Sequence, residues 1–331
     1  MVRFNYIRKM VGFKEIEPNL LIADEFIAQK VEEISRMVGN KYAITALSGG
    51  VDSSVVTVLG HKALGTRLIA CFIDNGLMRE GKPQKVVSIF KNLNIPVKLI
   101  NAQEEFFQAL AGIIDPEAKR EAISQTFYKE VFGKLVKESG ARYLLQGTIL
   151  TDIEETVAGI KRQHNVFEQL GIDPQEAFGY QIIEPLIQLR KDSVRQIGKA
   201  LSLPKSIYKR MPFPGPALAA RVIGEASRER IALVRKTTAI LEEELSNTEA
   251  FQYMAILHQD EVTGIREGKR AFGKQIEIRC WDSLDARVAT VTNLPFEILK
   301  RLSQRITTEI PEVVSVTYNI TDKPPSTMEA V

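Results

Sequence analysis

The chain has 331 residues, with 44 lysines and arginines against 41 aspartates and glutamates and a formal net charge of +3. That length suffices for two domains with cores of their own, and the near-balance of charge does not imply a nucleic-acid surface. No apolar run approaches a membrane span, and residues 1–17 lack the apolar core of a signal peptide, so a cytoplasmic protein is expected. Cys71 and Cys280, the two cysteines, lie far apart in apolar runs. They read as buried thiols of a reducing compartment, not as a disulfide, a zinc site or a nucleophile.

Residues 1–18 are expected to be an extension. Asn19 and Asp24 are the candidate openers of a helix reaching about Val38, whose apolar side carries Phe26, Ile27, Val31 and Ile34. Tyr42 to Leu47 then reads as a strand that stops at Ser48-Gly49-Gly50-Val51-Asp52-Ser53-Ser54, after which Val55, Val56, Val58 and Leu59 resume in helical rhythm. A glycine-rich turn between strand and helix leaves backbone amides uncovered at the positive end of a helix, which makes an anion site. It is not a Walker A loop, because no lysine follows the glycines to reach β- and γ-phosphates. Strands follow at 67–73, 97–100 and 142–145, with helices at 83–93 and from the Asp115-Pro116 pair toward Glu138. Strands alternating with helices imply a parallel α/β sheet covered on both faces. The first of those strands ends at Asp74-Asn75-Gly76, on the edge of the sheet where ligands bind.

From about 151 to 181 the sequence loses its period, as a functional lid does. A helix is expected from Asp192 to Leu201, and Met211-Pro212-Phe213-Pro214-Gly215-Pro216 can be neither helix nor central strand. It reads as a rigid connector into a small α+β domain, with helices at 227–245 and 295–309 and strands at 251–258, 275–280, 287–292 and 313–320. The expected domains are therefore 19–221, with its lid, and 222–331. In the second, Ile276, Ile278 and Cys280 alternate with Gln275, Glu277 and Arg279, which gives one apolar sheet face.

Several strings occur in one order: Ser48-Gly49-Gly50-Val51-Asp52-Ser53, Asp74-Asn75-Gly76, Asp115 to Arg120, Gln146-Gly147-Thr148-Ile149, His164-Asn165-Val166, Glu184-Pro185-Leu186, Pro212 to Pro216 and Lys323-Pro324-Pro325. The first resembles the PP-loop of the ATP pyrophosphatases. Together, from about residue 20 onward, they resemble the ATP-pyrophosphatase part of GMP synthetase, of the type whose glutaminase is a separate subunit. The resemblance implies a ligase of purine biosynthesis that attaches AMP from ATP to the C2 oxygen of XMP, releases pyrophosphate, and lets ammonia displace AMP to give GMP. Ser48, Gly49, Gly50, Val51, Asp52 and Ser53 match the pyrophosphate loop, and Asp74, Gln146, Gly147 and Thr148 match strand ends beside ATP. By the same match Asp52 and Asp152 are carboxylates for Mg²⁺, Lys161 and His164 in the lid join Asp52 and Ser53 in catalysis, and Arg120, Gln252, Lys323 and Glu329 hold XMP. The family also implies a homodimer through residues 222–331, with neither nucleic acid nor membrane as partner.

Each assignment has a plain structural counterpart. Asp152 is equally a turn cap, His164 equally structural, Gln252 equally a satisfied buried amide and Arg120 a solvated helix residue. The chain also departs from the family at Thr151, Gln163, Ala217, Gly268 and the Ala330-Val331 ending, mostly near the expected XMP or lid surface. Two other readings therefore stand beside the first: a PP-loop ligase that adenylylates another nucleotide or a tRNA base, and a catalytically weakened paralogue that serves as a binding subunit.

Overall fold

The computed structural model describes residues 15–157, 180–209, 213–283 and 288–330. The chain divides into two compact units: Met1–Asp74 with Lys82–Asn101 and Phe127–Arg210, and Asn75–Gly81 with Ala102–Thr126 and Met211–Val331. Each is discontinuous in sequence.

The first unit opens with α1 (Ala23–Val38). Its N-cap is Ile22, with no side-chain cap, so neither Asn19 nor Asp24 plays the capping role expected of it; Asp24 and Glu25 lie in the first turn, where they favour the helix dipole. Five short strands follow: β1 (Ala43–Leu47), β2 (Leu68–Asp74), β3 (Val97–Asn101), β4 (Tyr143–Leu145) and β5 (Gln181–Ile183). All pair in parallel, in the order β3-β2-β1-β4-β5. The chain leaves β1 toward β2 and later returns to its other side at β4, so the carboxyl end of β1 is the topological switch point, where an open sheet binds ligands. The helix after β1, α2 (Val51–Leu64), buries Val55, Val56, Val58 and Leu59. Helices α3 (Lys82–Asn92), α6 (Gly133–Ser139), α7 (Leu150–Val157), α8 (Lys191–Ala200) and α9 (Lys205–Tyr208) complete the described part of this unit. Thus the stretch expected to be lid begins as the helix α7, and most of the rest of it lies outside the described residues.

In the second unit α4 (Gln103–Leu110) precedes α5 (Pro116–Gln125), which starts as the sequence implies: Asp115 accepts from the Ala118 amide at 2.8 Å and Pro116 takes the first helical position. The helical run expected toward Glu138, with an interruption allowed for, passes after Gln125 through a π-helical stretch at Thr126–Phe132 into α6. Ser227 caps α10 (Arg228–Glu244). The sheet is built on a long hairpin, β6 (Gln252–Arg266) and β7 (Lys269–Asp282), with the two-residue β8 (Thr290–Val291) antiparallel and β9 (Val313–Tyr318) parallel to β7. The helix α11 (Phe296–Glu309) packs on β9, and α10 packs on β6.

The hairpin strands run well past their expected ends. The extension, from about His258 to Lys274, is mostly exposed; its ladder satisfies the backbone without burying an apolar face, so hydrophobic alternation could not reveal it. Glu267 and Gly268, both at positive φ (50° and 75°), form the tight turn that right-twisted hairpins prefer. The departure at Gly268 is therefore hairpin chemistry, about 45 Å along the strand from Gln252 at ~3.3 Å per residue. Ile276, Ile278 and Cys280 are at most 1% exposed within this single chain, so the apolar face expected from their alternation is already covered.

Candidate functional site

Two clusters of polar groups lie where the resemblance expects ligands, one in each unit. In the first, Ser48 leaves the end of β1 and Gly49 turns the backbone at φ +71°. A β-carbon at Gly49 would stand 2.9 Å from the buried Val86 Cγ2, and the positive φ strains any other residue there. The loop is braced by its own hydroxyls: the Ser48 amide donates to Ser53 Oγ at 3.2 Å, the Gly50 amide to Ser48 Oγ at 3.3 Å, and Ser54 Oγ donates to the Gly50 carbonyl at 2.7 Å. Gly50 caps α2 without a side chain, which leaves the amides of the first turn to an anion. From β4, Gln146-Gly147-Thr148 runs against that turn so closely that a β-carbon at Gly147 would lie 3.0 Å from Ser53 N and the Asp52 carbonyl carbon. Thr148 Oγ1 is buried and has no hydrogen-bond partner among the described residues. Asp74 closes β2, in register with Asn101 on the same edge of the sheet.

Two lysines complete this site, and the sequence reading missed both. Lys82 Nζ donates to the Gly49 carbonyl at 3.3 Å, and Lys191 Nζ meets Asp52 Oδ2 at 2.5 Å. A loop without a lysine of its own is thus supplied with two ammonium groups from α3 and α8. Lys191 is held in place by its neighbour Arg190, whose guanidinium makes a two-pronged bond to Glu154 (2.7 and 2.9 Å) and another to Glu15 (2.8 Å). These bonds to Glu154 and Glu15 push Arg190 above its ordinary value. No short motif marks Lys82 or Lys191, because each reaches the loop through the packing of a separate helix.

Asp52 Oδ1 is buried with no hydrogen-bond partner among the described residues, a position that suits a hard cation. Asp152, buried in α7, turns Oδ2 back to accept from the Ile149 amide at 3.1 Å, the reciprocal half of a capping box. That bond is the turn-cap role, and it engages one of the two carboxylate oxygens. Among the described residues no three His, Cys, Asp or Glu side chains converge as a metal cage. Lys161 and His164 lie outside the described residues.

The second unit brings Gln252 and Glu329 together from 77 positions apart, with Gln252 Nε2 donating to Glu329 Oε1 at 3.1 Å. Beside them lies Arg221, wholly buried, its Nε 3.5 Å from Glu329 Oε2. Among the described residues none of the three guanidinium nitrogens of Arg221 has a hydrogen-bond partner, and neither do the buried Trp281 Nε1 and Glu329 Oε2. Arg221 and Arg79 both stack on the Phe213 ring, at 4.9 and 4.3 Å from its centre. Burial pulls the Arg79 guanidinium below its ordinary value, opposed by its ion pair with Glu242 at 2.8 Å. Burying charge without partners is costly, and the three sets of open donors and acceptors here belong to one small region. Lys119, next to Arg120, is buried and donates to the Val222 carbonyl at 2.7 Å, which ties α5 to the segment carrying Arg221. Burial, with Arg230 nearby, lowers Lys119 to about 8. Arg120 itself is partly buried and faces Glu117 at 3.6 Å. Lys323 pairs by backbone with Ala289 (2.8 and 3.0 Å). The sequence reading passed over Arg221, although a lone arginine within Leu218-Ala219-Ala220-Arg221-Val222 was its visible sign.

A family model described as a PP-loop domain matches residues 23–204, and one described as the GMP synthase C terminal domain matches residues 239–330. Among curated relatives, a subunit of the glutamine-hydrolyzing GMP synthase of Methanothermobacter thermautotrophicus is 46% identical over 94% of this chain and 99% of its own length. The proteins of the same name from Pyrococcus furiosus and Archaeoglobus fulgidus are each 46% identical over 92% of this chain, and over 97% and 98% of their own. The chain therefore belongs to this family of GMP synthase subunits, with a PP-loop domain followed by a GMP synthase C-terminal domain.

Proposed function

We propose that the chain is the ligase subunit that converts XMP, ATP and ammonia into GMP, AMP and pyrophosphate. The C2 oxygen of XMP attacks the α-phosphorus of ATP and the bond to the β-phosphate oxygen breaks. Ammonia then adds at C2 and AMP leaves with the original oxygen. In this reading the amides of the Ser48–Ser53 loop, with Lys82 and Lys191, receive the charge that grows on the departing pyrophosphate. Mg²⁺, when bound, would supply further neutralisation of that charge, with Asp52 and Asp152 as its protein carboxylates; the capping bond of Asp152 engages Oδ2. Asp74, Gln146 and Thr148 line the ATP side, and Lys161 and His164 retain the phosphate role that the resemblance implies.

The observation that carries the acceptor half is the open polar set of Arg221, Trp281 Nε1 and Glu329 Oε2 beside Gln252. A buried guanidinium seeks an anionic or carbonyl oxygen, and a buried carboxylate oxygen seeks an N–H; xanthine and its phosphate offer all of these. Arg120 and Lys323 join this set as further XMP contacts. Calorimetry with XMP, IMP and GMP, in the presence of Mg²⁺ and a non-hydrolysable ATP analogue, tests it: XMP is preferred, and equal binding of all three would return the acceptor to another nucleotide.

Ammonia comes from a separate glutaminase subunit. Both thiols of this chain are buried, and burial pushes Cys71 up to about 12 and raises Cys280, which is the wrong environment for a thiolate nucleophile. The chain alone turns over with ammonium and not with glutamine; glutamine-dependent pyrophosphate release by the purified chain would sink this. No helix among the described residues is long and apolar enough to cross a membrane. We further propose a cytoplasmic enzyme with neither membrane nor nucleic acid as partner. It works as a homodimer through its second unit, where Ile265 and Phe272 on the hairpin remain 77% and 65% exposed. A monomer by light scattering at micromolar concentration would contradict that.

A further inference from the structure

The face of the β6–β7 hairpin opposite the helices carries an ion-pair network with no place in the chemistry above. Cross-strand pairing puts Gln252 with Trp281, Met254 with Arg279 and Ile256 with Glu277, so all six side chains share that face. Arg279 is only 9% exposed. Its Nε donates to Glu277 Oε1 at 2.5 Å, and its Nη1 donates to the Thr327 carbonyl at 2.8 Å and the Met328 carbonyl at 3.4 Å. Glu277 is held from two further sides, by Asn319 Nδ2 at 3.0 Å and by His258 Nε2 at 2.9 Å. Burial alone would raise the Glu277 carboxyl, and the bonds from Arg279, Asn319 and His258 bring it below its ordinary value.

The segment gripped by Arg279 is the C-terminal tail. Met328 is buried against Met254, Ile256, Trp281 and Ala289. Thr327 Oγ1 donates to the Glu329 carbonyl at 2.7 Å, and Glu329 then reaches Gln252. Upstream, the tail is pinned where Lys323 pairs with Ala289. An arginine and a glutamate half-sunk in a sheet face are poor stabilisers compared with apolar residues of the same size. Their geometry serves something an apolar pair could not do: they grasp two successive carbonyls and so fix the register of the tail.

We infer that Arg279, held by Glu277, is a positioning residue that sets the register of residues 327–329 and thereby presents Glu329 to the acceptor nucleotide. The inference rests on the reading of the tail as part of the XMP site. Trp281 is the single tryptophan of the chain and packs under Met328, so its emission reports tail docking without reference to catalysis.

The test compares the full-length wild type with Arg279→Met, Arg279→Lys and Glu277→Gln. Arg279→Met is expected to shift Trp281 emission to the red, to raise the KM for XMP at least tenfold, and to leave the KM for ATP within twofold. Lysine can bond one carbonyl but cannot at the same time hold Glu277, so Arg279→Lys falls between wild type and Arg279→Met. Glu277→Gln, which loosens the arginine indirectly, shows a smaller change of the same kind. If wild type prefers XMP and Arg279→Met matches it in KM, the positioning role is wrong. A parallel rise in both KM values would equally overturn it, because the residue would then be supporting the fold at large. If wild type itself shows no preference for XMP, the acceptor reading fails, and this inference with it.

Discussion

The two units build their polar clusters in different ways. The loop of the first is nearly contiguous: Ser48 to Ser54 supply its turn, its bracing hydroxyls and its carboxylate, and the structure adds only Gly147 and two lysines. The cluster of the second is assembled from Arg221, Gln252, Trp281 and Glu329, residues with no local relation at all. A strand–loop–helix junction makes an anion site from backbone that local sequence already shapes. Recognition of a particular nucleotide needs side chains converging from several directions, and convergence is a tertiary property.

The largest effect should come from the contiguous site. Asp52→Ala is expected to reduce XMP-dependent pyrophosphate release by a factor of about 10²–10³ or more. Its unfolding midpoint should hardly move, because the ion pair with Lys191 is partly exposed and pairs of that kind contribute at most about 1 kcal/mol. Near-wild-type turnover would remove the loop from the chemistry.

Truncating the assembled site should separate substrate from cosubstrate. Lys323→Ala is expected to cost about 2–5 kcal/mol in XMP binding, roughly thirtyfold or more, with the KM for ATP little changed. Arg221→Met sharpens the comparison: XMP affinity should fall at least tenfold, and stability should fall with it, since Glu329 loses its ion-pair partner at 3.5 Å. If Arg221→Met unfolds the protein and leaves the residual XMP affinity intact, the arginine is part of the core alone.

Gly147→Ala tests how finely the loop is fitted. The added carbon would stand 3.0 Å from the backbone of Asp52 and Ser53, so turnover with ATP should drop about tenfold or more, as displacement of reacting groups by a fraction of an ångström does. Ala217→Gly should have the smallest effect. Ala217 is fully buried at φ +56°, a region costing an L-residue about 1–2 kcal/mol. Relief of that strain is offset by the entropy of glycine in the unfolded chain and by the lost methyl group, so the net change in unfolding free energy should stay within about 1 kcal/mol. A loss well beyond that would mean that the methyl group packs better than its backbone suggests.

Sequence alone determined the parallel α/β unit, the strand–loop–helix anion site, the Asp115-Pro116 helix start and the burial of both thiols. Each of these follows from periodicity, turn chemistry or capping over fewer than a dozen residues. It also placed Gln252 and Glu329 in one site, through the order of motifs and not through any local rule. What tertiary structure decided was how separate segments meet. It delivered Lys82 and Lys191 to a loop that lacks a lysine, gave Asp152 a capping bond, turned Gly268 into a hairpin turn far along the strand from Gln252, and buried Arg221 beside Glu329 with no hydrogen-bond partner among the described residues. The exposed half of the β6–β7 hairpin escaped notice because its strands stabilise each other through backbone bonds, which leave no hydrophobic pattern. The same holds for Arg279: alternation marks it as a polar residue facing away from the apolar side, and only the folded tail makes that second face an interior. Local physics reads the spacing of residues along the chain, whereas a charge sunk in a sheet acquires its purpose from whatever the fold lays over it.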